Sequence, residues 1–88
     1  MAKQSQWGTK TFKKGNKEDD RVKSAIMQKL MDLGEDPFDK STHMKPDEIH
    51  KMDPGWQPYS AKSFGEAVRQ CRKVIGAYKS KFSFIFQR

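Results

Sequence analysis

The chain has 88 residues, enough for one small domain and too few for two. Hydrophobic residues make up 34% and charged residues 33% of the sequence, so the apolar content is low for a globular domain. Such a chain can bury one compact core and leaves little room for a large catalytic pocket. We therefore expect a non-enzymatic protein that forms a single domain over residues 1–88, with residues 1–10 mobile.

The net charge of +7 is concentrated in the two terminal segments. Residues 1–17 contain five lysines and no acidic residue, and residues 56–88 contain seven basic residues and one acidic residue. The middle segment, residues 35–55, has six acidic residues and three lysines. This distribution favours an acidic partner, either a nucleic acid or the acidic surface of another protein.

The sequence carries no signal for a membrane or for an oxidising compartment. No stretch approaches the roughly 20 apolar residues that a membrane span needs, and residues 1–17 lack the apolar segment of a secretory signal. The lone cysteine, Cys71, excludes an internal disulfide and a cysteine-rich zinc site. We expect no membrane binding, no cofactor and a reducing, cytoplasmic setting.

The first third of the chain predicts one strand and one helix. Residues 7–12 have weak strand character. Asn16 is a suitable N-cap, acidic residues fill the first turn after it, and Gly34 is a suitable helix stop. These signals predict a helix over residues 17–33.

The middle of the chain is interrupted by four prolines between residues 35 and 62. Because proline lacks an N–H and restricts the residue before it, a long helix or a central strand is excluded there. A short helix fits residues 46–52, with Pro46 in its first turn. The apolar residues spread through this segment indicate that it lies over the core.

The last third predicts a helix followed by a strand. Ser63 and Glu66 form a capping-box pattern, and apolar residues at helical spacing follow, so we expect a helix over residues 64–79. Phenylalanines then alternate with other residues over residues 82–87, which is typical of a strand. The predicted fold class is α+β: a small single domain with two main helices, one short helix and a minimal two-stranded sheet from the terminal segments.

The apolar stripes of the two long helices predict the core. Its expected members are Val22, Ile26, Leu30, Leu33, Phe64, Val68, Cys71, Val74, Ile75 and Tyr78, with Phe82, Phe84 and Phe86 closing one side.

Basic residues interleaved with aromatic residues are the strongest functional signal. Basic side chains neutralise phosphates and release counterions, and exposed aromatic rings stack on unpaired bases. The candidate nucleic-acid-binding residues are Lys10, Lys13, Lys14, Lys62, Arg69, Arg72, Lys73, Lys79 and Lys81. No RNA-recognition, KH, zinc-finger or helix–turn–helix motif is present, so DNA and RNA both stay open as partners.

An adaptor or inhibitor that docks on an acidic surface of a nucleic-acid-processing protein is the alternative hypothesis. Large, flexible or aromatic side chains would anchor such a complex, and nearby basic residues would steer it. The candidate anchors are Trp7, Met27, Met31 and Trp56. Under either hypothesis the composition fits a small accessory or regulatory protein, of the type common in phages and mobile elements.

One cluster has residues typical of a metal site. His43, Asp47, Glu48 and His50 lie close in sequence, and histidine and carboxylate side chains bind transition metals. Their spacing matches no metal-binding signature, and acidic residues also suit the start of a short helix. We therefore interpret both histidines as surface polar residues and predict no metal site.

Overall fold

The computed structural model describes the backbone of residues 7–86 and the side chains of residues 7–81. Within this part of the chain, α1 and α2 both pack against α3. The α-helices are α1, Lys17–Asp32; α2, Pro46–His50; and α3, Ala61–Phe86. Single turns of 3₁₀ helix lie at Lys40–Thr42 and Pro54–Trp56.

The predicted α+β class is wrong, because residues 7–86 contain helices and no strand. The predicted C-terminal strand is instead a continuation of α3 to Phe86, and residue 87 lies outside the described residues. No glycine or proline follows Gly76 to end the helix. Each added residue therefore gains a local helical hydrogen bond, whereas a strand would need a partner to pair with.

The predicted N-terminal strand is reduced to one isolated parallel bridge between Lys10 and Tyr59. The backbone N–H groups of Gly8 and Lys10 donate to the carbonyls of Gln57 and Pro58, each over 2.9 Å. Residues 7–10 are thus held against the segment before α3, and residues 1–6 of the segment predicted to be mobile lie outside the described residues.

Gly8 is required at its position because the two segments lie so close together. A Cβ atom added at Gly8 would lie 2.1 Å from the carbonyl oxygen of Pro58. Real side chains do not approach a backbone atom so closely, so the hydrogen-bonded path of residues 7–10 has room only for glycine there.

The helix boundaries are predicted well for α1 and less well for the other two helices. The side chain of Asn16 accepts a bond from the N–H of Asp19, and Gly34 has a φ of 71°, which confirms both predicted ends of α1. The short helix ends two residues earlier than predicted, at His50. The capping signal of α3 comes from Ser60, whose hydroxyl accepts from the N–H of Ser63, so the helix begins before the predicted cap.

The core is built by all three helices and by the segment before α3. Its buried apolar members are Ile26, Leu30, Ile49, Trp56, Tyr59, Phe64, Ala67, Val68 and Cys71. Val74 and Tyr78 were predicted to be in the core and are instead 53% and 66% exposed. The reason is that Ile49, Trp56 and Tyr59 from the middle segment close the core around Phe64.

A buried carboxylate connects α1 to the two segments that cross its N-terminal end. Asp19 is 1% exposed, and its Oδ1 accepts a 2.5 Å hydrogen bond from the Tyr59 hydroxyl. Its Oδ2 accepts from the backbone N–H of Lys13 over 2.9 Å. The bond from Tyr59 outweighs the cost of desolvation and lowers the pKa of Asp19, so the carboxylate is ionised inside the protein.

His50 is buried beneath Trp7. The two ring centroids are 3.7 Å apart in a stacked arrangement, and the edge of Phe64 closes the other side. The Nε2 atom of His50 is buried without a hydrogen-bond partner among the described residues. Desolvation lowers the pKa of His50, although the nearby backbone of Trp56, Gln57 and Tyr59 favours the protonated ring. The prediction that His50 lies at the surface is wrong.

Replacing Tyr59 by Phe is expected to lower the free energy of unfolding by about 1.5–3 kcal/mol, because it removes one of the two hydrogen-bond donors to the buried Asp19 carboxylate. Urea denaturation followed by circular dichroism measures the effect. Tyr78→Phe is the control, because Tyr78 is 66% exposed. Removing its hydroxyl should change the free energy of unfolding by no more than about 0.5 kcal/mol. Equal losses in the two variants would show that the Tyr59–Asp19 bond contributes nothing to stability.

The stability of the fold should fall as the pH drops from 7 towards 5. The pKa of His50 is lower in the folded chain than in the unfolded chain, so the unfolded state binds more protons in this range. The slope attributable to one histidine is at most about 1.4 kcal/mol per pH unit. His50→Phe should flatten the slope measured by urea denaturation at several pH values. An unchanged slope in His50→Phe would refute the assignment.

Candidate nucleic-acid interface

Three basic side chains form a row on the solvent side of α3. Lys62, Arg69 and Lys73 are all exposed, and at 100° per residue they fall within about 40° of arc. The opposite side of the helix buries Phe64 and Val68 in the core. Because the core fixes the rotation of α3, this cation row is turned towards solvent.

A groove of about 660 Å³ lies between the cation row and the loop of residues 36–43. Arg69 and Lys73 line its α3 side, and Phe38 and Lys40 line its loop side. The helix also lines the groove with Arg72 and with small residues, namely Gly65, Gly76 and Ala77. The groove therefore has basic side chains on both its α3 side and its loop side.

The loop of residues 36–43, here called the aromatic loop, is held by its own hydrogen bonds. The N–H of Phe38 donates to the Asp36 carboxylate over 2.9 Å. The N–H of Asp36 donates to the Thr42 hydroxyl, and Nε2 of His43 donates to the Asp36 carbonyl, each over 2.9 Å. These bonds fix the loop while the Phe38 ring is 68% exposed beside the groove.

The acidic side chains of the aromatic loop are used to hold its backbone. Asp39 accepts hydrogen bonds from both the hydroxyl and the N–H of Ser41, at 2.7 and 3.0 Å. The hydroxyl bond is the main reason that the pKa of Asp39 lies below its ordinary value. Both Asp36 and Asp39 thus cap loop N–H groups, which accounts for two of the acidic residues near the groove.

Arg72 is bound to Glu35 and anchors the aromatic loop to α3. Its Nε and Nη2 donate to the two carboxylate oxygens of Glu35 at 2.9 and 2.8 Å, and Nη2 also donates to the Met44 carbonyl at 2.6 Å. The N–H of Met44 donates back to Glu35 over 2.8 Å. Although burial raises the pKa of Glu35, the bonds from Arg72 and Met44 outweigh it and lower that pKa overall.

Gly76 lets the aromatic loop lie against α3. A Cβ atom at this position would lie 3.4 Å from Cβ of Pro37 and 3.8 Å from Cε1 of Phe38. A larger side chain here would collide with Pro37 and Phe38 and push the loop away from α3. The glycine inside the helix, which costs roughly 1 kcal/mol relative to alanine, is thereby explained by close packing with the loop.

The other basic residues predicted to bind nucleic acid do not join the cation row. Lys10 lies over the Tyr59 ring, 5.1 Å from its centroid, and Lys13 and Lys14 are exposed in the same segment before α1. Lys79 lines a crevice next to Met31 and Glu35, on another side of α3. Lys81 is exposed near the end of the described side chains. Arg72 is bonded to Glu35 and to the Met44 carbonyl, so it positions the aromatic loop and is not a phosphate ligand in this proposal.

The structure adds residues that the sequence did not single out as ligands. Lys40 and Phe38 lie on the loop wall of the groove, and His43 lies beside them. The pattern of Asp36 before Pro37, followed by Asp39 before Ser41, is typical of capped turns. That pattern could have predicted a fixed loop here, but it contains no signal for the exposure of Phe38.

The four candidate protein anchors differ in their exposure. Trp56 is buried in the core, and Trp7 is partly buried against His50. Met27 is partly buried and packs against the core. The side chain of Met31 is 50% exposed and is the one of the four that a partner could contact extensively.

The histidine and carboxylate cluster does not converge on one point. Within the part of the chain that the structure describes, no three His, Cys, Asp or Glu side chains are placed to hold a metal ion. His50 is buried under Trp7, and His43 is bonded to the Asp36 carbonyl. Cys71 is buried, as predicted, and desolvation raises the pKa of its thiol, which disfavours the reactive thiolate.

Replacing Glu35 by Gln is expected to destabilise the fold by about 2–3 kcal/mol, because it leaves the partly buried Arg72 without its charged partner. The pKa of Glu35 is lower in the folded chain than in the unfolded chain. The stabilisation by ionised Glu35 is therefore complete above the ordinary pKa of a glutamate and is lost as the pH falls through the lowered pKa. Glu48→Gln is the control, because the Glu48–Lys51 pair is largely exposed and should contribute less than about 1 kcal/mol. Equal effects in urea denaturation would contradict this assignment.

Comparisons of the chain with protein families, curated proteins and solved structures gave no match. No helix among residues 7–86 has both the length and the apolar character that crossing a bilayer demands. The function is therefore inferred from the side chains of the groove and their geometry.

Proposed function

We propose that this protein binds nucleic acid as a small, non-enzymatic accessory or regulatory protein that contacts phosphates through basic side chains. The observation that supports this most directly is the cation row of Lys62, Arg69 and Lys73 on the solvent side of α3. Three basic groups on one helix face can neutralise successive phosphates and release the counterions bound to them.

The local charge balance also favours a polyanion at this face. The one acidic residue of α3, Glu66, lies between Lys62 and Arg69 in the sequence. Glu35, which would otherwise oppose the row, is neutralised by Arg72. Lys40 adds a further positive charge on the opposite wall of the groove. Positive charge thus exceeds negative charge on the α3 wall, whereas on the loop wall Lys40 lies near Asp36 and Asp39, whose carboxylates accept bonds from loop N–H groups.

Phosphate contacts of this kind give affinity that depends on salt and is nearly independent of base sequence. α3 is not the second helix of a helix–turn–helix. The helix before it, α2, ends at His50, whereas α3 begins at Ala61, and the turn of that motif has only about three or four residues. We therefore propose a protein that coats or masks nucleic acid, with little base-specific recognition.

Docking on an acidic protein surface is a second candidate, which one observation favours. Val74 and Tyr78 are four residues apart on one face of α3, and more than half of each side chain is exposed. An apolar pair next to basic side chains is typical of a protein interface with an acidic partner. If the protein binds no nucleic acid, docking on an acidic protein surface becomes the favoured function.

Removing two charges from the cation row should reduce both the affinity for nucleic acid and its dependence on salt. Each phosphate contact contributes about 0.7 to a log–log salt slope on single strands and about 0.9 on duplexes. The double variant Arg69→Gln/Lys73→Gln should therefore reduce the slope by about 1.4 to 1.8. Fluorescence anisotropy with a labelled oligonucleotide, titrated at several salt concentrations, measures the slope.

The control is Lys17→Gln/Arg21→Gln, which removes two exposed charges at the same spacing from α1. It should leave the salt slope nearly unchanged. An equal reduction in the two variants would show that diffuse charge, and not the cation row, binds the ligand. No binding by the natural protein even at low salt would refute nucleic-acid binding as the function.

A further inference from the structure

Phe38 is a large aromatic side chain that the fold holds in an exposed position. Its ring is 68% exposed. The Phe38 N–H donates to the Asp36 carboxylate and the Thr42 hydroxyl donates to the Asp39 carbonyl, so the backbone is fixed on both sides of the ring. Pro37 precedes it and packs near Gly76, which restricts the loop further. A ring presented by a fixed loop loses little conformational entropy when it stacks on a ligand.

Phe38 lines the same groove as Arg69 and Lys73, and Lys62 continues the cation row about two helical turns before Arg69. A strand that runs along the row would place its phosphates near Lys62, Arg69 and Lys73. Its bases would then extend across the groove towards the Phe38 ring. The groove volume of about 660 Å³ leaves room for a flat base there.

The positions of charge and ring distinguish an unpaired strand from a duplex. In a duplex the faces of the bases are covered by their neighbours in the stack, and proteins meet only the base edges in the grooves. An unpaired strand can turn a base out to stack on an aromatic side chain while its phosphates follow a basic surface. Phe38 beside the cation row matches the second case.

The row also sets the length of strand that it can contact. Eleven helical steps separate Lys62 from Lys73, which corresponds to about 16 Å along α3. A stacked strand rises about 3.4 Å for each phosphate, so the row spans about five nucleotides.

We infer that the groove between α3 and the aromatic loop binds an unpaired nucleic-acid strand of about five nucleotides, with Phe38 stacking on a base and the cation row contacting the phosphates. This inference depends on the proposed function, because it names the form of nucleic acid that the same surface binds. The shared chemistry is an unpaired base on a phosphate backbone, which both DNA and RNA supply.

The test uses the full chain and fluorescently labelled oligonucleotides: oligo-dT and oligo-rU of 2 to 12 nucleotides, and a 12-base-pair DNA duplex. Affinity should rise with length up to about five nucleotides and then change little beyond the statistical increase in binding positions. Both single strands should bind more tightly than the duplex at the same salt concentration. The difference between oligo-dT and oligo-rU identifies which sugar the groove prefers.

Phe38→Ala should weaken single-strand binding by at least about fivefold, the lower end of the effect of losing one base–aromatic stack. It should leave duplex binding unchanged, and Phe38→Trp should retain single-strand binding. Because the ring is exposed, circular dichroism should show the same fold in all three proteins.

The outcomes separate this inference from the proposed function. Duplex binding as tight as single-strand binding, with no effect of Phe38→Ala, would overturn the inference while phosphate binding by the cation row still held. Displacement of the oligonucleotide by polyglutamate at equal charge concentration would also overturn it, because polyglutamate has no base to stack. If no oligonucleotide binds at low salt, both the inference and the proposed function fail.

Discussion

The ionised carboxylate of Asp19 is the constraint on which the arrangement of the chain depends. Burying a charge is costly unless hydrogen bonds compensate it, and here they come from two places distant in sequence, the Tyr59 hydroxyl and the Lys13 backbone. The first bond fixes the segment that leads into α3 against the start of α1. The second fixes the segment that precedes α1. Three parts of a small chain are therefore held together by one side chain.

The position of α3 in turn determines what its surface presents. Burial of Phe64, Val68 and Cys71 fixes the helix rotation, so the row of Lys62, Arg69 and Lys73 is exposed. The Glu35–Arg72 pair then attaches the aromatic loop on one side of this row. A basic wall and an aromatic wall are brought together by packing and by one ion pair, although each comes from a different segment of the chain.

The parts of this arrangement that depend on local signals could be predicted from the sequence. Asn16 and Gly34 mark both ends of α1 because capping and positive φ are properties of single residues. The end of α3 could not be predicted in this way, because alternating phenylalanines favour a strand only where a partner strand exists. The groove depends on the pairing of Glu35 with Arg72, 37 residues apart, and nothing local identifies such a pair. Exposure of Phe38 likewise follows from tertiary packing.

The close approach at Gly8 makes the N-terminal segment sensitive to a single methyl group. The N–H of Gly8 donates to the Gln57 carbonyl, and the Cα of Gly8 faces the Pro58 carbonyl. The contact is therefore made entirely by backbone atoms of the two segments. An alanine there would change no charge, no ring and no hydrogen-bonding side chain. It would nevertheless push the segment outward and lift the Trp7 indole from the His50 imidazole that it shields. The exclusion of water from His50 thus depends on Gly8, which lies 42 positions earlier in the sequence and has no side chain.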